Sequence, residues 1–246
     1  MRTPSIGIVM DTEEIKHQIG VRVADTLVKS GMKLGLGTGS TMIHAIDRVC
    51  RLLREGALRD IVVVPTSFQT MVACQRAGIS LSTLNDPAVD GRLDLTVDGA
   101  DEVDPRWNLI KGGGAAMLIE KLVAQASDRY CIIVHSSKLV SRLGESAQVP
   151  VEIVPQALVT ASRRLEALGG RAELRMATRK AGPVISEHGN FVLDVDFPEP
   201  FDPGTLEVKI MMIPGVTANG IFTCPVDDLF VGHPDGRVEH EHKDRT

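Results

Sequence analysis

Residues 93–121 read LDLTVDGADEVDPRWNLIKGGGAAMLIEK, and the rest of the chain is best understood outward from them. The opening, Leu93-Asp-Leu-Thr-Val97, alternates apolar and polar residues and predicts a β-strand. Four carboxylates follow within seven residues: Asp98, Asp101, Glu102 and Asp104. After Lys111 come three consecutive glycines, Gly112, Gly113 and Gly114, then an apolar helical run that carries Glu120. Folding alone accounts poorly for either feature, because clustered acids repel and consecutive glycines cost backbone entropy. Local conflicts of this kind tend to mark function. The plainer alternative is a solvated acidic turn followed by a glycine linker.

Upstream, Asp11-Thr-Glu-Glu14 has the spacing of a capping box, with Asp11 as N-cap and Glu14 reaching back. Ile15, Ile19, Val23 and Leu27 recur every fourth residue, which predicts a helix ending near Gly31. Lys16 sits in its first turns, against the helix dipole, so it is either solvated or facing an anion. Met32–Leu36 predicts a strand, followed by Gly37-Thr-Gly-Ser-Thr41 and a helix with Ile43, Ile46, Val49 and Leu53 inward. Strand, glycine turn and helix together aim free backbone N–H groups at an anion. The turn is no Walker A, and Ser40 occupies the third glycine position of a dinucleotide fingerprint. With the hydroxyls of Thr38, Ser40 and Thr41 beside Gly39, it suits a phosphate monoester; the competing reading is a tight turn with hydroxyl capping.

Ile61–Val64 and Tyr130–Val134 are apolar runs of the kind buried in parallel sheets, and Ile79–Leu81 is a shorter strand. Strands alternate with helices from residue 10 to 140, predicting a doubly wound parallel sheet. Gly37–Thr41, Asp98–Asp104 and His135–Lys138 all follow strand ends, where such sheets bind ligands. Composition changes around Gly144–Pro155. Beyond it a βαββαβ order, closing with a strand over Val216–Phe222, predicts a ferredoxin-like unit. Asp227–Val231 is expected to return to the first sheet as an edge strand. His240-Glu-His242 reads as a solvated tail rather than a metal pair.

The net charge of −5 offers no basic field for a nucleic acid, whereas a small phosphorylated ligand needs only local donors. The four cysteines lack any CxxC spacing and fit a reducing cytosol. No apolar run reaches membrane-spanning length, and Ile6–Met10 is too short for a signal peptide. A soluble, cytoplasmic protein is expected.

An anion site, several carboxylates, a lysine and a glycine turn suit proton transfer on a phosphorylated small molecule. Taking a proton beside a carbonyl needs a carboxylate base, and Glu120 or an Asp of 98–101 can supply it. The developing oxyanions need positive charge or N–H donors, here Lys111 and the Gly112–Gly114 amides. No cofactor is required. The rival reading of the acidic run is a Mg²⁺ or Ca²⁺ site, although EF-hand spacing is absent and no metal is expected.

GLGTGST at 35–41, VDGADEVD at 97–104, IKGGGAA at 110–116 with Glu120-Lys121, SSKLV at 136–140 and PGV at 214–216 resemble ribose-5-phosphate isomerase, type A. The likeness runs in order through nearly the whole chain. It implies an α/β fold, a Rossmann-like, doubly wound, mostly parallel sheet domain (1–143 with 224–246) and a ferredoxin-like α+β lid (144–223). It implies interconversion of ribose 5-phosphate and ribulose 5-phosphate in the pentose phosphate pathway, without metal or nucleotide, by a homodimer or homotetramer. By position, Glu120 is the proton carrier, Asp98 and Asp101 handle sugar hydroxyls and ring opening, and Lys111 faces the enediolate. Thr38, Gly39, Ser40, Thr41, Gly99, Ala100, Lys138 and Lys16 fall in the substrate site. Ile119 stands where many members have Arg, and His135-Ser136 replaces a more acidic pair. A non-catalytic sugar-phosphate sensor is the main alternative; an amino-sugar phosphate deaminase or a CoA transferase on a related sheet is a third.

Overall fold

The computed structural model describes residues 10–244, so the Ile6–Met10 segment lies almost wholly outside it. In chain order the elements begin α1 (Thr12–Leu27), β1 (Lys33–Leu36), α2 (Ser40–Arg54), β2 (Val62–Pro65), α3 (Phe68–Arg76), β3 (Ser80–Leu81), β4 (Leu95–Asp98). Next come β5 (Glu102–Val103), β6 (Leu109–Ile110), α4 (Met117–Gln125) and β7 (Tyr130–His135). The second half holds β8 (Val149–Ile153), α5 (Leu158–Ala167), β9 (Arg171–Leu174), β10 (Phe191–Asp196), α6 (Pro203–Met211) and β11 (Val216–Asn219). Three short strands close the chain, β12 (Ile221–Phe222), β13 (Asp228–Gly232) and β14 (Val238–His242).

The main sheet has the order β14-β13-β7-β4-β1-β2-β3, parallel throughout except for β14. Period-two alternation sends its side chains to two covered faces. Cys131 and Ile133 of β7 join Ile15, Ile19 and Val23 of α1 and Ile46 and Val49 of α2. Tyr130, Ile132 and Val134 point the other way, into a cluster with Met117 and Ala124 of α4. Apolar surface on both faces, worth roughly 25 cal/mol per Å² removed from water, makes the sheet the interior of a helix–sheet–helix sandwich.

The second sheet is antiparallel, in the order β11-β8-β10-β9, the arrangement of a βαββαβ unit. Val149, Val151, Ile153, Leu193 and Val195 pack beneath Ala161 and Leu165 of α5 and Leu206 and Ile210 of α6. Its other face meets the first unit, where Val192 and Ala218 join Met117 and Phe222.

Several local expectations need correction. Asp11 is the N-cap of α1, but its side chain makes no capping hydrogen bond, and Glu14 instead accepts from Gln18. In α2 the buried stripe is Met42, Ala45, Ile46, Val49 and Cys50, while Ile43 faces out. The strand expected over Val216–Phe222 breaks at Gly220, and β12 pairs with β6 in a small third sheet. Asp228–Gly232 is not the sheet edge, because β14 pairs outside it. The tail expected to be solvated is therefore a strand: His240 stacks on Phe230, and its Nε2 lies 2.7 Å from Asp228 Oδ1.

Candidate active site

The chain leaves β1 toward β2 on one side and reaches β4 on the other, so a crevice opens beyond the carboxyl ends of these two neighbours. Gly37 lets the first loop cross the end of β4, because a Cβ there would lie 1.8 Å from Asp98 Oδ1. The loops are stitched together when Asp98 Oδ1 accepts the N–H groups of Gly99 (2.7 Å) and Thr38 (3.3 Å). Helix α2 starts at an N-cap, Gly39, that has no side chain to cap it, and its first turn holds no acid. Its leading N–H groups are thus presented to the crevice as an anion site. Thr38 Oγ1 is tied to Thr66 Oγ1 (2.8 Å) and Ser67 Oγ (2.6 Å), which anchors the loop to the start of α3.

Asp98, Lys111 and Glu120 converge from the ends of β4 and β6 and from the first turn of α4. All three are buried, with 0%, 3% and 4% of their surface exposed. Lys111 Nζ stands 3.0 Å from Asp98 Oδ2 and 3.4 Å from Glu120 Oε1, and donates to Gly99 O at 2.5 Å. Burial pulls the ammonium's pKa down, but Asp98 and Glu120 more than reverse this and hold it at about 12. Burial pushes Glu120 up to about 8, with Lys111 pulling against the rise and Asp98 adding to it. Asp98 is raised for the same first reason, opposed by Lys111. Two acids against one ammonium leave the cluster holding a proton near neutrality. Glu120 Oε2 has no hydrogen-bond partner among the described residues.

Glycines 112–114 form a turn closed by Ala115 N–H to Gly112 O at 3.0 Å. Gly112 needs its freedom, at φ +101°, and Ala115 is held at φ +60°. A non-glycine residue there costs about 1 kcal/mol or more, strain of the kind found at working sites. Gly113 N–H donates to Asp101 Oδ2 at 2.8 Å. The other two acids of the run are structural. Glu102 accepts the N–H groups of Gly144, Ser146 and Ala147, and Asp104 those of Arg106 and Asn108. Among the described residues no group of three or more acids, histidines or cysteines is placed to hold a metal ion.

A cavity of about 360 Å³ collects most of the residues expected from sequence: Lys16, Thr38–Thr41, Gly99–Asp101, Gly112–Gly114, Glu120 and Lys138. That volume lies in the range of small-molecule sites. Asp98 and Lys111 stand behind its wall rather than in it. Lys16 lines the cavity while its Nζ pairs with the Glu13 carboxylate at 2.6 Å, so it is not simply solvated. Sequence reasoning missed Gln69, whose only sequence signal is its place just inside a helix that follows a strand. His135 also lines the cavity; its Nδ1 accepts the Ser137 N–H at 3.1 Å. Ile119 turns away from the acids to pack on the cluster of Val64, Val89, Leu93 and Val123.

An open α/β sheet whose helix N-terminus faces a buried acid–lysine–acid cluster across one cavity defines an acid–base site for a small phosphorylated ligand. The sequence model of the ribose 5-phosphate isomerase A (phosphoriboisomerase A) family matches residues 62–236. The chain is 43% identical over 237 residues to the ribose-5-phosphate isomerase A of Treponema denticola, covering 94% of this chain and 99% of that one. It is 50% identical over 229 residues to that of Synechococcus sp. (strain WH7803), covering 92% and 95%. A ribose-5-phosphate isomerase solved with phospho-erythronic acid superposes with a TM-score of 0.90 at 40% identity, covering 95% of this chain and all of the other. The enzyme of Methanocaldococcus jannaschii gives 0.88 at 39%, with the same coverage. The chain belongs to the ribose 5-phosphate isomerase A family.

Proposed function

We propose that the chain interconverts D-ribose 5-phosphate and D-ribulose 5-phosphate through an enediolate. The observation that carries this reading is the single cavity joining Glu120 to the Thr38–Thr41 loop. One five-carbon chain spans it, with phosphate on the α2 N-terminus, Ser40, Thr41 and Lys16, and C1 and C2 beside Glu120. Ionised Glu120 takes the proton from C2 of the open aldose and returns it to C1, while the hydroxyl proton passes from O2 to O1. The negative charge on the enediolate oxygens is met by the amides of the glycine turn, with the Lys111 ammonium acting on it from behind the wall through the field it places beside Glu120. Asp101, on the cavity wall, assists ring opening. Asp98, behind the wall, holds Lys111 and the Thr38 amide in place.

Residues 144–223 act as a lid over a catalytic unit of 1–143 with 224–246. In support, Glu187 of the smaller unit accepts the Phe68 N–H at 2.7 Å, next to the hydroxyl loop's anchor. The chain works in the cytoplasm as a homodimer or homotetramer. An apolar groove lined by Leu122, Val208, Met211 and Met212 offers a surface for a second copy. The sensor alternative would leave the cost of burying Glu120 without a return.

A coupled assay of the wild-type chain with ribose 5-phosphate, beside Glu120→Gln, tests the reading. The variant should bind phospho-erythronate yet lose about 10²–10⁴-fold or more in kcat. Turnover near the wild-type rate would remove Glu120 from the mechanism.

A further inference from the structure

We infer that Arg175 is a positioning residue for the isomerisation, aiming the amides of the glycine turn from outside the cavity. It lies just beyond β9, in the smaller unit, and its backbone is fixed on both sides: its N–H donates to Val192 O at 2.9 Å and its carbonyl accepts from Val184 at 2.8 Å. The guanidinium forks onto Asp194, with Nε donating to Oδ2 at 2.8 Å and Nη2 to Oδ1. Its remaining arm, Nη1, donates to Gly112 O at 3.0 Å and Gly113 O at 3.1 Å, 63 and 62 residues away in sequence. The carboxylate fork sets the plane of the group, so the third arm has little freedom.

Peptide planarity turns this external grip into an internal effect. In a trans peptide the carbonyl and the following N–H point in opposite directions. With Gly112 C=O drawn to Arg175, the Gly113 N–H must point away, and it is found on Asp101 Oδ2 at 2.8 Å. With Gly113 C=O drawn the same way, the Gly114 N–H also turns from Arg175, and Gly114 lines the cavity. One arginine thereby sets Asp101 and a candidate oxyanion donor together. A turn of three glycines has no side chains to hold it in one conformation, so an outside clamp has real effect on the amide directions. Asp194 matters through Arg175 alone in this scheme.

This inference rests on the isomerase reading, and the experiment separates the two. Arg175→Met and Arg175→Lys are made in the full chain, and kcat, KM and the inhibition constant of phospho-erythronate are measured. Phospho-erythronate carries a carboxylate where the enediolate oxygens develop. Arg175→Met should lower kcat by about 10²-fold, as removal of an oxyanion donor does, with KM changed by less than about threefold. Phospho-erythronate should weaken by a similar factor, and Arg175→Lys should restore only part of the loss, since an ammonium cannot fork onto Asp194 and span two carbonyls. A folded Arg175→Met with wild-type kcat, or one that loses only ribose 5-phosphate affinity, overturns the inference. If Arg175→Met fails to fold, Asp194→Asn decides: several-fold lower kcat at constant KM supports it, and unchanged kcat refutes it. Absence of turnover in the wild-type chain would instead sink the isomerase reading itself.

Discussion

Replacing Lys111 with methionine asks what the buried ammonium does for the fold. Methionine fills nearly the same space, so the change is mainly one of charge. In the wild-type chain Glu120, pushed up to about 8, already accommodates the cluster's extra proton at neutral pH. Without Lys111 only the Gly99 and Thr38 amides offset the burial of Asp98, too little to keep it ionised, so it too is expected to be neutral in the folded state. Its ordinary value is 3.8, so at pH 7 this costs at most about 4 kcal/mol, less whatever burial already costs Asp98 in the wild-type chain, where it is raised too. At pH 5 the upper bound falls to about 2 kcal/mol. The sign follows from linkage: an acid whose folded value is raised contributes stability at low pH that is lost as pH rises. The gap between Lys111→Met and wild type should therefore widen by about 1.4 kcal/mol for each pH unit between 5 and 7. Its size at neutrality agrees with the roughly 3–5 kcal/mol found when one partner of a buried pair is removed. Urea unfolding of both proteins at pH 5, 6 and 7 measures it. A gap that stays constant across that range would mean that Lys111 serves packing, and that the charge argument for the cluster is wrong.

Because the base must be ionised, kcat/KM should fall as pH drops through about 8, the value to which burial lifts Glu120. Stability should move the opposite way, since the raised value contributes folding energy below the ordinary 4.5 that disappears as pH climbs through about 8; parallel pH–rate and pH–melting profiles check both. Ser40→Asp should raise KM for the sugar phosphate at least about tenfold without lowering the melting temperature, as an acid suits a helix start but repels phosphate. Glu102→Ala should cost about 3 kcal/mol by orphaning the amides of Gly144, Ser146 and Ala147, while kcat of the folded protein is unchanged.

The main sheet was legible because its strands are short apolar runs separated by helices with a four-residue repeat, and Ile15, Ile19, Val23 and Leu27 are all buried as that repeat requires. The ferredoxin-like order emerged the same way. What stayed hidden depends on partners remote in sequence. β6 and β12 are two residues each and pair across 111 positions, from Ile110 to Ile221. β14 is written in Glu and His, which read as tail until Asp228 and Phe230 are brought beneath them. The acidic run looked like one functional cluster. Folding splits it, sending Glu102 and Asp104 to backbone amides, and no local pattern distinguishes them from Asp98 and Asp101. Arg175 carried no motif at all, because its meaning lies in two glycine carbonyls of another unit.

The outermost strand should also govern how the protein behaves in concentrated solution. β14 occupies the hydrogen-bonding border of β13, whose Leu229, Phe230 and Val231 are buried, and it shows Glu239, Glu241 and two histidines in their stead. The far border is only two residues long, at β3. Clipping the chain before Val238 would bare an apolar ribbon open to strand addition by neighbouring molecules. Turbidity and loss of soluble yield should then precede any change in turnover, because the reacting groups lie on the opposite side of β7.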